Sequence, residues 1–219
     1  AVLVFTETTS NLYNKRFVNS IDNLIFNLTE EEFTSLQPDI LLTFGGMIVS
    51  KKIKKFLRDY SPKEHWHVNE LRAFDTYHVL SKHLKIDSHT FFKHFCELVD
   101  YDNKSTYEST WTHYKQCIRE KHNHYIKTAP YSDLKVFEQV LKVIPDFSEV
   151  QFSNSAIIRY SQLFEMNSTI TVFCNRGTSG IDGSTSTALG AAYATQKPTT
   201  FITGDLSFFY DSNALWNNY

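Results

Sequence analysis

Asn175-Arg176-Gly177-Thr178-Ser179-Gly180-Ile181-Asp182-Gly183-Ser184-Thr185-Ser186-Thr187 sets three glycines at intervals of three between an apolar run over 170–173 and a small-residue, helix-prone stretch over 184–194. A strand that feeds a glycine-rich turn and then a helix opens an α/β unit. Such a turn offers backbone N–H groups and a helix N-terminus to an anion. The spacing is not G-x-G-x-x-G, and the glycines could equally serve a tight turn. The chain has seven glycines, at 45, 46, 177, 180, 183, 190 and 204, and none between Met47 and Arg176. The need for positive φ or close backbone approach is therefore concentrated in two places.

Moving outward, Thr200-Phe201-Ile202-Thr203 reads as a buried strand running into Gly204-Asp205-Leu206-Ser207. That places a carboxylate at the C-terminal edge of a parallel strand, where α/β sheets bind ligands. A lone carboxylate there suits Mg²⁺, which keeps waters and phosphate oxygens as its other ligands; it could also cap the next helix. Upstream, Ser153-Asn154-Ser155-Ala156-Ile157-Ile158-Arg159 follows a short strand over 149–152 and opens a helix, so its polar groups face the same edge. Arg159 and Arg176 would supply two guanidinium forks suited to carboxylates. A cap and an exposed arginine are the alternative.

The first half also alternates strand and helix signals, which argues a parallel α/β sheet. The run 2–5 reads as a buried strand, 10–21 as a helix, and 22–26 is mixed. Thr29-Glu30-Glu31-Glu32 is a helix start that Pro38 closes. Asp39-Ile40-Leu41-Leu42-Thr43-Phe44 is a strand ending in Gly45-Gly46. Ile53, Phe56 and Leu57 mark the apolar face of a helix over 50–60, and His65-Trp66-His67-Val68 reads as another strand. Phe91, Phe92, Phe95, Leu98 and Val99 form one helical stripe, and 109–124 a polar-aromatic helix. Further helices are predicted over 132–144 and 155–164.

Hydrophobic residues make up 42% of the 219 and charged residues 21%, an ordinary globular balance. A net charge of −2 supplies no basic field for nucleic acid or anionic lipid. No apolar run approaches the roughly 18 residues of a membrane span. The start lacks the basic n-region of a signal peptide. Cys96, Cys117 and Cys174 are odd in number and without CxxC spacing. That argues against a disulfide framework or zinc site and suits a reducing cytoplasm. All nine histidines fall between His65 and His124, in no zinc pattern; they read as solvated surface groups.

Asn154-Ser155-x-x-x-Arg159, then Asn175-Arg176-Gly177-x-Ser179-Gly180-Ile181-Asp182-Gly183-x-x-Ser186-Thr187, then Gly204-Asp205-Leu206-Ser207-x-x-Tyr210-Asp211-x-Asn213-Ala214-Leu215 resemble the menaquinone-pathway branch of the thiamine-diphosphate enzymes, the MenD family. The match is dense over 150–216 and weaker over 1–100. The resemblance implies α/β domains with parallel sheets flanked by helices. It implies a truncated central domain over 1–104, a helical linker over 105–128 and the first half of a diphosphate-binding domain over 129–219. The ends support a fragment: the first five residues read as a strand, and 213–219 stops inside a predicted helix.

The resemblance also implies roles. Asp205 matches the Mg²⁺ ligand, with Mn²⁺ an alternative metal, and Gly204, Leu206 and Ser207 complete the diphosphate motif. Ile181 matches the apolar prop beneath the bent cofactor; Ser179 and Gly180 match backbone contacts to its aminopyrimidine. Arg159, Arg176 and Ser155 match residues facing substrate carboxylates, and Lys51 a central-domain lysine that reaches the active site. The implied reaction decarboxylates 2-oxoglutarate and adds the four-carbon product to isochorismate, in a cytoplasmic homo-oligomer. The family's general base and second metal ligand match nothing in the chain, so the fragment alone is expected to be inactive and to bind cofactor poorly. Another thiamine-diphosphate decarboxylase, or a non-catalytic anion-binding module, is the alternative.

Overall fold

A computed structural model describes residues 2–99 and 106–217. In chain order its elements are α1 (Ile21–Leu24), α2 (Glu30–Ser35), β1 (Ile40–Phe44), α3 (Lys51–Asp59), β2 (Glu64–Val68), β3 (Leu80–Leu84), α4 (Ser88–Leu98), α5 (Thr106–Thr128), α6 (Asp133–Lys142), β4 (Glu149–Phe152), α7 (Ala156–Ser161), β5 (Thr171–Cys174), α8 (Ser184–Thr195), β6 (Thr199–Ile202) and α9 (Asp205–Tyr210), with 3₁₀ turns at Thr8–Ser10 and Ser212–Trp216. Contacts divide the chain into two compact units, Ala1–Leu3 with Leu24–Ile118, and Val4–Asn23 with Arg119–Tyr219. The 104/105 boundary lies outside the described residues.

The first unit holds a parallel sheet ordered β1-β2-β3. Its helices start where local chemistry dictates. Thr29 and Glu32 form a reciprocal capping box at α2, and the Ser50 hydroxyl accepts the Ile53 N–H (3.0 Å) at α3. Lys51, Lys52, Lys54 and Lys55 leave the inward stripe of α3 to Ile53, Phe56 and Leu57, all buried. The Phe56 ring meets the fully buried Trp111 edge-on. No helix joins β2 to β3. That loop is folded by two side-chain acceptors. Asn69 Oδ1 takes the Leu71 and Arg72 N–H groups, and Asp75 Oδ1 takes those of Val79 and Leu80.

The second unit holds a parallel sheet ordered β5-β4-β6, with every residue of the central β4 buried. Its edge strand is blunted. Asn11 Oδ1 accepts the Val172 N–H (2.7 Å) and Asn11 Nδ2 donates to the Val172 carbonyl (2.9 Å), one carboxamide standing in for a strand partner.

The parallel α/β class is as expected, but several elements differ. The expected helix over 10–21 is a 3₁₀ turn and irregular chain. Asn11 lies in the left-handed region (φ 52°), and Asn14 spends its side chain on the Arg16 N–H. The expected strand at 2–5 is a single bridge, Phe5 to Val18. The helix predicted over 155–164 is only Ala156–Ser161. The terminal helix is the 3₁₀ turn Ser212–Trp216, with 218 and 219 outside the described residues. His65 is 1% exposed, which corrects its reading as a surface histidine. Among the described residues no helix is long and apolar enough to cross a membrane.

Candidate functional site

Because β4, β5 and β6 are parallel, the segments that leave their C-terminal ends share one edge: 153–155, 175–183 and 203–205. These are the three motifs singled out in the sequence, and hydrogen bonds join them. The Gly204 N–H donates to the Ser153 hydroxyl (3.3 Å), and the Ser153 N–H to the Ile202 carbonyl (3.0 Å). The Ser207 hydroxyl donates to the Ile181 carbonyl. Ser153, Asn154 and Ser207 are buried, so these ties are shielded from water.

Asn154 links the first segment to the second. Its Nδ2 donates to the carbonyls of Asn175 and Gly180, each at 2.6 Å. Its Oδ1 accepts from Arg176 Nη1 at 2.7 Å and from the Cys174 thiol at 3.4 Å. The Nε of Arg176 is buried without a hydrogen-bond partner. Burial pushes the Cys174 thiol up to about 11, against the opposing pull of the Arg176 charge, so the group stays a neutral donor.

Backbone conformation in these segments is unusual. Ser155 sits at φ 69°, ψ −126° and Ser179 at φ 60°, positions that cost energy for a residue with a Cβ. Gly183 enters α8 at φ 69° and offers no side-chain cap. The cap comes from afar. Asp211, 7% exposed, accepts the Ser186 N–H and the Ser186 hydroxyl, each at 2.6 Å.

Ile181 is half-buried, while Arg159 and Asp205 are exposed. Asp205 is the first residue of α9 and Gly204 its cap. One Asp205 oxygen accepts the adjacent Leu206 N–H (2.8 Å). Among the described residues no three His, Cys, Asp or Glu side chains gather to hold a metal ion. Asp205 could offer a hard ion a single carboxylate, which suits Mg²⁺ where phosphate and water supply the remaining ligands. Lys51 is exposed at the start of α3 in the other unit. Asn154 and Asp211 stood in the motifs, but their partners lie 20 to 26 residues away, beyond any local pattern.

Residues 4–150 match the family described as "Middle domain of thiamine pyrophosphate". The whole chain is 53% identical, over 219 residues, to the 2-succinyl-5-enolpyruvyl-6-hydroxy-3-cyclohexene-1-carboxylate synthase of Flavobacterium psychrophilum, of which it covers 40%. It is 52% identical to the synthase of that name from Flavobacterium johnsoniae, covering 39%. Over 91% of the chain it is 39% identical to that of Bacteroides thetaiotaomicron, covering 35%. The chain thus spans about 40% of the length of these relatives. With parallel sheets in both units and a family match over two-thirds of its residues, the chain belongs to the middle-domain family of the thiamine pyrophosphate enzymes.

Proposed function

We propose that the chain is part of a 2-succinyl-5-enolpyruvyl-6-hydroxy-3-cyclohexene-1-carboxylate synthase, which takes CO₂ from 2-oxoglutarate and joins the remaining four-carbon unit to isochorismate. One observation carries this reading. Three segments that carry serine or glycine meet at one sheet edge, with a half-buried guanidinium and an exposed carboxylate on the same edge. Whole-chain identity to synthases of that name supports it.

Thiamine diphosphate, when bound, supplies the electron sink that lets a 2-oxo acid lose CO₂. The chain's own residues bind and orient. Asp205, with Gly204, Leu206 and Ser207, would hold Mg²⁺ and the diphosphate. Ser179, Gly180 and Ile181 would flank the organic part of the cofactor, Ile181 being fixed through Ser207. Arg159, Arg176 and Ser155 would face the carboxylates of 2-oxoglutarate, a dianion, and of isochorismate. Among these cations Arg176 is half-buried and held by a hydrogen bond, and a cation so fixed stabilises such charge without reorganising. A homo-oligomer is part of this proposal.

The test is product formation by the intact protein carrying this sequence, given thiamine diphosphate, Mg²⁺, 2-oxoglutarate and isochorismate. CO₂ release from 2-oxoglutarate with formation of the joined product is expected. Release from pyruvate instead would assign a different decarboxylase, and no release from either would return the site to a non-catalytic anion cradle.

A further inference from the structure

The Asn154 side chain, 2% exposed at the end of β4, uses its donors and its acceptor on a single loop. Its two N–H bonds go to carbonyls on either side of the 176–179 bend, and its oxygen takes the guanidinium of Arg176. We infer that Asn154 is a positioning residue, which holds this bend and aims the Arg176 cation. The consequence for ligand binding rests on the reading of Arg176 given above; the consequence for the loop does not.

The chemistry allows few other side chains. Two carbonyls and one guanidinium need two donors and one acceptor at one point, which is the inventory of a carboxamide. An aspartate has the same outline but no N–H. It would face the Asn175 and Gly180 carbonyls with like partial charge and cancel the charge of Arg176. Asparagine leaves that charge whole. Among the described residues the bond to Asn154 is the only hydrogen bond of the Arg176 side chain, since Nε is buried without a partner. The guanidinium therefore depends on this one contact for its direction. The neighbouring Cys174 thiol donates to the same oxygen and stays neutral, so no anion beside the guanidinium draws it away from Asn154. Ser179 at positive φ adds strain that the Gly180 tie must hold in place.

Limited trypsin digestion of the intact protein tests this, because trypsin must draw the Arg176 side chain out of its contact before it cuts. Cleavage after Arg176 is read by mass spectrometry against cleavage after Lys15, which is exposed in the irregular chain of the same unit. Asn154→Ala should raise that ratio about ten-fold or more, as expected when a charge-assisted and two neutral hydrogen bonds are lost and the open loop is more populated. Asn154→Leu, which keeps most of the volume but offers neither donor nor acceptor, should also raise it and decides the matter if the alanine variant does not fold. An unchanged ratio in a folded variant overturns the inference. In the same variants KM for 2-oxoglutarate should rise about ten-fold with kcat falling less, the pattern of lost ground-state binding. Faster cleavage with an unchanged KM would keep Asn154 as the loop's positioning residue and reject a substrate role for Arg176.

Discussion

Asp211 caps the start of a helix from 25 residues beyond the residue it binds: its two carboxylate oxygens take the N–H and the hydroxyl of Ser186, each at 2.6 Å. Gly183, at the formal cap position, has no side chain to give. The carboxylate also sits where the partial positive charge of the α8 N-terminus favours an anion. Asp211→Ala should destabilise the second unit by about 2–3 kcal/mol, the cost of losing hydrogen bonds to a buried charged group. Asp211→Asn, which keeps one acceptor, should lose less. Urea denaturation of both variants checks the order, and a silent alanine variant would show that the cap contributes nothing.

Asn11 does for the β5 edge what Asp211 does for α8. Its carboxamide closes both backbone groups of Val172, and the chain on either side is irregular. Asn11→Ala should cost about 1–2 kcal/mol. It should also expose Lys15 and Arg16, already on the surface, to faster proteolysis as the segment loosens. Unchanged cleavage at those two sites would mean that other contacts hold the segment.

What could be read in advance follows from how far each signal reaches. β4 matches its expected bounds, 149–152, and β5, α8 and β6 lie within a residue or two of theirs. Apolar runs there are punctuated by Gly177, Gly183 and Gly204. β3 went unread because Leu80-Ser81-Lys82-His83-Leu84 carries an apolar residue only at each end. Lys82 is fixed from outside, by an ion pair with Glu64 (3.2 Å) and by lying over the Trp66 ring. The region 10–21 has helical spacing, yet Asn11 sits at positive φ with its side chain on the distant Val172, and Asn14 binds the Arg16 N–H. Asn154 and Asp211 were visible as residues but not as hubs, because a hub is defined by partners that only the fold brings near.

His65 shows the same limit and leads to a pH effect. Alternation along β2 puts His65 and His67 on one face, where the Thr43 hydroxyl bridges His65 Nε2 (2.7 Å) and His67 Nδ1 (2.8 Å). His83 stands beside His67 and bonds the Asn69 carbonyl. Burial first, then the neighbouring His67, hold His65 below the ordinary histidine value, with Asp75 pulling the other way. Burial and His83 do the same to His67. Both therefore fold neutral. The unfolded chain binds more protons as pH falls through about 6.5, so stability is full above that value and is lost below it. Each such histidine contributes at most about 1.4 kcal/mol per pH unit. Urea midpoints followed by Trp66 and Trp111 fluorescence should fall between pH 7 and 5. His65→Gln, which cannot take up a proton there, should flatten the decline. An identical pH slope in that variant would place the acid sensitivity elsewhere, with His122, also held low by burial, the next to test.

Asp205 separates a metal-binding role from a structural one. Its carboxylate is exposed, and its hydrogen bond goes to the adjacent Leu206 N–H. The amide oxygen of an asparagine could accept that same bond. Gly204, not Asp205, is the cap of α9, so folding has little to lose. In the proposed synthase, however, Asp205 would give Mg²⁺ a hard anionic oxygen, and asparagine would give it only a neutral one. Asp205→Asn should therefore melt within a few degrees of the wild type without cofactor, a change of about 1 kcal/mol or less. It should bind thiamine diphosphate at fixed Mg²⁺ at least about ten-fold more weakly, since groups that merely orient a metal ligand are already worth about 10–100-fold in affinity. Raising Mg²⁺ should recover part of the loss, because metal occupancy is then what limits binding. Titration of the cofactor at two Mg²⁺ concentrations reads both effects. Equal affinity in the two proteins would leave Asp205 with no part in holding the metal, and a large drop in melting temperature without cofactor would make its role structural.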